Sequence, residues 1–551
     1  MLNFIIGRNN SGKTEKIRAL IAERASENKK CILIVPEQFS FESERSILEK
    51  IGAQKMLNVD ILSFTRLAFV INEQYGKALN KTIDDGTRKV LMSLSLEALS
   101  GKLEYFKRFS SKPALLSNLL TFVTELKQCA VTPDEIAEIS GKTGNKSLGK
   151  KLSELSLIAA SYDALVSRSF FDDENLLTIA ADMISETDFF DGKAVYFDAF
   201  CGFTKQERNC IKSILPKAEN VFISLCTDRD LSREGVSVFE NVNTEFSHLK
   251  ECAAEQNVGV SSPEILNVKE DGRSPELVYL EKYLCGEESE PYKEECDNIV
   301  VCAAGNRADE ADFVACEIKK LLRCNPTLRC RNIAVIERTA GTYDKELSES
   351  FKKYGVPMFE DKRRPIGIQP VMVFVKCLLA LCAEGFSTES FMRLLKTGLT
   401  ALSGDEISEL ENYAFLWNID GSKWRRDFTE NPDGLGFDVT EKSQEKLIRL
   451  NDIRKRSVLP VLAFKKDFEE ADGEKKSRLI YEFLIKNGVT DRLREKVEYL
   501  ISSGDTVLCE EQDTVWATLM DMLGKMASAI GETVITAKRY SELFNICLLY
   551  T

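Results

Sequence analysis

Eight residues near the start of the chain, GRNNSGKT from Gly7 to Thr14, fit the pattern G-x-x-x-x-G-K-[ST] without a mismatch. Residues of these types at this spacing hold phosphate. Glycines let backbone N–H groups close around the anion, and the helix that follows adds positive potential at its N-terminus. The pattern assigns Gly7, Arg8, Asn9, Asn10, Ser11, Gly12, Lys13 and Thr14 to the cradle. Lys13 would reach the β- and γ-phosphates, and the Thr14 hydroxyl would hold Mg2+. ATP and Mg2+ are therefore the expected cofactors.

Hydrolysis needs more than binding. One carboxylate must sit in the Mg2+ shell and another must activate water. The run KAVYFD, 193–198, ends a strand at Asp198, a candidate Mg2+-shell carboxylate. The same aspartate could simply cap the next turn. The following residue is Ala199, where many helicases place the catalytic glutamate. The nearest downstream acid, Glu207, lies too far along to stand in for it. No residue is assigned as catalytic. The chain has one histidine, His248, which excludes any site needing two and argues against a Ser-His-Asp triad.

A net charge of −13 means the surface as a whole does not attract nucleic acid, so any contact must be local. Arg66 in SFTRLA, the run Lys362-Arg363-Arg364, and Lys423-Trp424-Arg425-Arg426 with Trp417 nearby are the candidates. Mixtures of aromatic faces and cations hold single strands. The competing reading is that short basic clusters are solvated faces and that tryptophan is core.

Stepping outward, the loop lies between a strand at 2–6 and a helix with Ile17, Leu20 and Ile21 on one face. Further strands are expected at 31–35, 59–63, 193–198 and 221–226, with a helix over 41–51. From about 82 to 190 helical spacing replaces strand spacing, which suggests a helical insertion in an α/β domain. A second α/β segment is expected from strands at 299–305, 332–337 and 356–360, with helices at 310–322 and 343–354. From about 371 the pattern is helical to the end. The apolar stretch 371–383 contains Lys376 and is too short to span a bilayer, so it reads as a core helix. No targeting signal is visible. The 16 cysteines include no C-x-x-C pair and mostly sit in apolar runs, which suggests reduced, buried thiols in a cytoplasmic protein.

Several stretches, taken in order, resemble the AddB subunits of AddAB-type ATP-dependent helicase–nucleases. They are IVPEQFSFESE (34–44), ILSFTRLA (61–68), YFDAFCGFTKQE (196–207), NIAVIERTAGTYDKEL (332–347), LKTGL (395–399) and ELENYAFLWNIDGSKW (409–424). A broader resemblance is to superfamily 1 helicases. It implies an α/β fold of two RecA-like P-loop NTPase domains, each with a helical insertion. On that analogy 1–81 and 191–295 form the first domain and 82–190 its insert. Residues 296–370 begin an incomplete second domain, and 371–551 form its insert.

The resemblance further implies processing of double-strand DNA breaks for recombinational repair, in a heterodimer with an AddA-type subunit. It implies contact with DNA ends and single-stranded DNA, a search for a recombination hotspot sequence, and no membrane. The family's nuclease motif and four-cysteine iron–sulfur cluster have no counterpart here, so the chain is expected to be a fragment ending before both. Against an active motor stand Ala199 in place of the glutamate and, after Arg338, Tyr343 in place of an arginine finger. Both departures favour a nucleotide-holding scaffold over a working ATPase. The alternative is an active superfamily 1 motor.

Overall fold

Short apolar runs free of turn residues become strands when helices can cover them on both faces. Five do so here: Leu2–Gly7 (β1), Cys31–Ile34 (β2), Val59–Leu62 (β3), Ala194–Phe197 (β4) and Asn220–Cys226 (β5). The computed structural model describes residues 1–76, 81–107, 112–171, 173–227, 238–267, 273–283, 290–359, 365–504 and 506–549. The strands pair in parallel in the order β3-β2-β4-β5-β1, with the two-residue Glu264–Ile265 (β6) on the outer edge beside β1. The register sets Leu2 opposite Val221 and Gly7 opposite Cys226, so β1 and β5 end level with each other.

Alternate residues of each strand point to opposite faces. Leu2, Phe4, Ile6, Ile32, Ile34, Val195, Phe197, Val221 and Ile223 enter one core. The helices Phe64–Tyr75, Asp173–Glu186, Lys205–Ile214 and Glu240–Glu255 cover it. Ile5, Cys31, Leu33, Ala194 and Tyr196 enter the other, beneath the helices Lys13–Ser26 and Ser40–Ile51. All five long strands fall where the apolar runs predict them, within a residue or two.

The chain divides into two units. The first comprises Met1–Glu234, Phe239–Val268 and Pro365–Thr551; the second comprises Gly235–Val238 and Lys269–Arg364. Within the first unit, helices far apart in sequence share one apolar core. Asp85–Ala98, Pro113–Gln128 and Lys146–Ser169 meet Pro370–Ala383 and the helices that run on to Ala537–Leu549. Lys525 Nζ lies 2.7 Å from Asp84 Oδ2, and Arg539 lies 3.0 Å from Glu97. The stretch 371–383 is the buried helix expected of it. A two-residue parallel ladder, Lys81–Thr82 with Phe170–Phe171, interrupts a stretch expected to be wholly helical.

The second unit departs from expectation. Its helices form, as Arg307–Cys324 and Asp344–Tyr354, and pack through Ala315, Ile318, Phe351 and Val356. Its three expected strands do not form. Residues 299–304, 333–337 and 356–359 carry no ladder, and residue 360 lies outside the described residues. A parallel strand persists only where neighbours satisfy its backbone and layers cover its faces. Here Val301, Ile336 and Phe359 are at least 90% exposed.

Every cysteine among the described residues is free. Cys31, Cys210, Cys377, Cys382 and Cys547 are buried as expected, whereas Cys129, Cys201, Cys296, Cys302, Cys316 and Cys324 are exposed. These lie on helix flanks and loops, where an apolar neighbourhood in sequence does not mean burial. Burial pushes the Cys31 thiol up to about 11 and those of Cys210 and Cys382 up to about 12, which keeps them protonated. Among the described residues no helix is long and apolar enough to cross a membrane.

Candidate functional site

The phosphate-type loop leaves the C-terminal end of β1 and enters the helix Lys13–Ser26. Two residues in the left-handed backbone region make the turn, Asn10 (φ 57°) and Gly12 (φ 88°). The loop closes tightly on itself. A Cβ at Gly7 would lie 2.3 Å from Ser11 Oγ and 2.8 Å from the Leu266 carbonyl oxygen, so only glycine fits. No side chain caps the helix that follows. Its first N–H groups are thus left for another acceptor. Ser11 Oγ is buried without a partner. The Lys13 ammonium donates to the carbonyls of Gly7 and Arg8, each at 2.7 Å, and so lies across the loop. The Arg8 guanidinium sits 5.6 Å from the Phe239 ring centre. An uncapped helix start, an orphan hydroxyl and a lysine converge on one short loop, and this set fits a phosphate.

Asp198 follows β4 at the same end of the sheet. It is 5% exposed, its backbone N–H donates to the Ile34 carbonyl, and its Oδ1 accepts from Ser224 Oγ at 2.5 Å. Ser224 belongs to β5, the strand between β4 and β1. Sequence reasoning missed Ser224, although a hydroxyl in the apolar run VFISLC was the available signal. Thr14, in the first turn of its helix, is half-buried. Among the described residues no three His, Cys, Asp or Glu side chains gather to hold a metal. A hydroxyl and a carboxylate are nonetheless suitable donors for Mg2+, which commonly takes only one or two protein ligands beside phosphate and water. Thr14 and Asp198 are the residues that would hold it.

Ala199 comes next, with φ 64°. A non-glycine residue in this region costs about 1–2 kcal/mol. The position is a left-handed turn that points its small side chain at solvent. The position thus lacks a carboxylate and turns left-handed just past the extended residues of β4. Glu207 does not compensate: it closes a capping box, accepting from the Thr204 amide at 2.7 Å. In the second unit the Tyr343 hydroxyl donates to Glu310 at 2.6 Å, and this hydrogen bond pushes its phenol pKa up. Tyr343 also immediately precedes the helix Asp344–Tyr354, with its amide held by Glu337. Arg338 is exposed.

The candidate nucleic-acid residues differ in burial and in local partners. Arg66 is exposed in the first turn of the helix Phe64–Tyr75, just past the C-terminal end of β3. Ser63 caps that helix by accepting from the Arg66 amide. Lys362, Arg363 and Arg364 lie outside the described residues. Trp424 overturns its expectation, because it is wholly buried. Its ring packs on Phe391 and Phe428, and its Nε1 donates to Thr388 Oγ1 at 2.9 Å. An indole enclosed on its faces cannot stack on a base, so Trp424 is core. Trp417 is half-buried and donates to the Asn431 carbonyl. Lys423 donates to the Asn418 carbonyl at 2.8 Å, while Arg425 and Arg426 are exposed. The buried Arg454 holds the segment down, donating to the Trp424 carbonyl and pairing with Asp427. Nothing in the polar pattern of its helix singled Arg454 out.

A family model described as "ADDB, N-terminal" matches residues 4–281. A protein of Acetivibrio thermocellus, named as the B-type subunit of an ATP-dependent helicase/deoxyribonuclease, is 29% identical over 561 residues, which cover 99% of this chain and 48% of that protein. A protein of the same name from Clostridium acetobutylicum is 29% identical over 555 residues, with the same shares covered. Another from Thermoanaerobacter sp. is 28% identical over 556 residues, again covering 99% of this chain and 48% of that protein. The chain spans about half the length of the curated relatives it matches.

Proposed function

The chain belongs to the ADDB N-terminal family, and from that premise we propose that it serves in the AddB-type component of an ATP-dependent DNA helicase–nuclease. In this reading the complex processes double-strand breaks for recombinational repair, and an AddA-type subunit is the partner. The 551 residues hold a nucleotide and single-stranded DNA but do not run a motor. The sheet and its loop act as the first of two RecA-like domains, formed by 1–81 and 191–295 with 82–190 as its insert. Residues 296–370 begin the second, and 371–551 form its insert. The scaffold scans the passing strand for a recombination hotspot sequence, while the nuclease and the iron–sulfur cluster belong to the part of the family's proteins not matched by this chain.

One observation carries the scaffold reading: the residue after Asp198 is a left-handed alanine. A base that activates water has to present a carboxylate there, and an arginine finger adds orders of magnitude in rate. Tyr343, offered at the finger position, is spent on Glu310. Phosphate binding requires neither. Lys13, Thr14 and the loop amides would bind and orient the triphosphate, and Asp198 would complete the Mg2+ shell. Arg66, Arg425 and the run Lys362-Arg363-Arg364 are the proposed single-strand contacts.

The test is a calorimetric titration of ATP–Mg2+ alongside phosphate release with and without single-stranded DNA, using Lys13→Ala as the control. Binding that the variant loses, with no DNA-stimulated release, supports the scaffold. DNA-stimulated turnover that the variant loses would instead establish an active superfamily 1 motor.

A further inference from the structure

Trp424 is core, so the cations beside it in sequence lack the ring that a nucleic-acid contact would need there. Two other rings stand open nearby. Phe415 is 72% exposed in the last turn of the helix Gly404–Leu416, and Phe437 is 66% exposed in the loop that follows. Phenylalanine is among the residues most often buried, so two open rings at one helix end mark a surface that something covers. Hydrogen bonds fold the loop against the helix end. Trp417 Nε1 donates to the Asn431 carbonyl at 3.0 Å, and Asn431 Nδ2 donates to the Phe437 carbonyl at 3.0 Å. A Cβ at Gly434 would lie 3.7 Å from the Leu416 side chain and 3.8 Å from the Phe437 ring. Phe437 therefore lies close to Leu416, the neighbour of Phe415 in sequence.

The same helix end carries cations. Lys423 Nζ donates to the Asn418 carbonyl at 2.8 Å, just past the helix. Arg425 and Arg426 follow, exposed and without an ion pair among the described residues. Most carboxylates of the segment are already engaged. Asp420 accepts from the Thr388 amide, Asp427 pairs with Arg454, and Asp433 pairs with Lys446. Glu430 and Asp438 stay open against the three cations. We propose that Phe415 and Phe437 form a stacking platform for the bases of a single strand, with Arg425 and Arg426 on the flanking phosphates. Open rings beside unpaired guanidinium groups are the mixture that takes bases and phosphates together. The platform rests on the reading that this chain holds a single strand, and it supplies the rings that Trp424 does not.

Fluorescence anisotropy with a labelled thymidylate oligomer of about ten nucleotides tests it on the whole chain. Phe415→Ala and Phe437→Ala should each weaken binding roughly tenfold, while Phe437→Trp, which keeps a ring, should hold it. Both positions are exposed, so folding is spared. Leu435→Ala, an exposed loop neighbour without a ring, should change nothing. Replacing Arg425 and Arg426 together by alanine should flatten the slope of log affinity against log salt by about 1.4, the share of two phosphates. If Arg66→Ala weakens binding while both phenylalanine variants bind as the wild type does, the platform is overturned and the single-strand reading stands. No binding by the wild type would overturn both. An equal loss from Leu435→Ala would mean general apolar adhesion and not stacking. A Phe437→Ala variant that keeps the oligomer but loses the AddA-type subunit would make the surface a protein dock instead. Either of these last two results also overturns the platform.

Discussion

Two stretches of this chain are written alike and end differently. Residues 2–62 and 299–359 both alternate short apolar runs with amphipathic helices. In the first, every run becomes a strand of a parallel sheet covered on both faces. In the second, the helices form but the runs make no ladder and leave Val301, Ile336 and Phe359 exposed. An apolar run thus specifies a need for burial, and only its neighbours decide whether that need is met as a ladder. The contrast shows in the cores: both faces of the first sheet are filled, whereas the second unit buries Ala315, Ile318, Phe351 and Val356 and little else.

The contrast can be broken by mutation. Phe197→Ala, in the buried strand β4, should cost about 3–5 kcal/mol in urea unfolding. Ile336→Ala, at the matching kind of position in the second stretch, should stay within about 0.5 kcal/mol. Comparable losses at both sites would show that the second stretch is buried after all. Gly7→Ala comes next in size. It should abolish ATP binding by calorimetry, because the new methyl meets Ser11 and the Leu266 carbonyl. Retained binding would mean that the loop opens freely. Ala199→Gly should raise stability by about 1 kcal/mol by relieving the left-handed backbone, while Ala199→Glu should lower it and confer no ATPase activity. Turnover in Ala199→Glu would sink the view that the backbone, and not only the residue, has left catalysis.

The smallest effect concerns acid. Hydrogen bonds from Asn298, side chain and backbone, hold the Glu276 carboxyl down to about 2 from an ordinary value near 4.5. Because the folded value is depressed, its contribution is complete above about pH 4.5 and is lost as pH falls towards 2. Limited proteolysis near 297–298 should therefore quicken across that window in the wild type. Glu276→Gln should already be fast, and flat, across it.

Much of the first sheet was legible because each signal was local: a run, a glycine, a cap. The phosphate loop was legible for the same reason, since its residues are contiguous. Partnerships made across the fold were not legible. Ser224 finds Asp198 only once β5 lies beside β4. Trp424 looked like a stacking residue because cations flank it in sequence. Its burial is set by Phe391, Phe428 and Arg454, up to 33 residues away in sequence. The missing strands of the second stretch failed for the same reason, since propensity is silent about whether a neighbour is present.

The helical core has a consequence for how the protein is made. Asp84 and Lys525, which meet across it, are 441 residues apart. At synthesis rates of about 5–20 residues per second, the early helices wait about 20–90 s on the ribosome before their late partners emerge. Through that interval Val90, Leu91, Met92 and Leu96, all buried in the finished protein, have only the early helices Pro113–Gln128 and Lys146–Ser169 for cover and lack the late ones. Exposed apolar surface of this kind favours aggregation, so slowing translation before residue 506 should increase it.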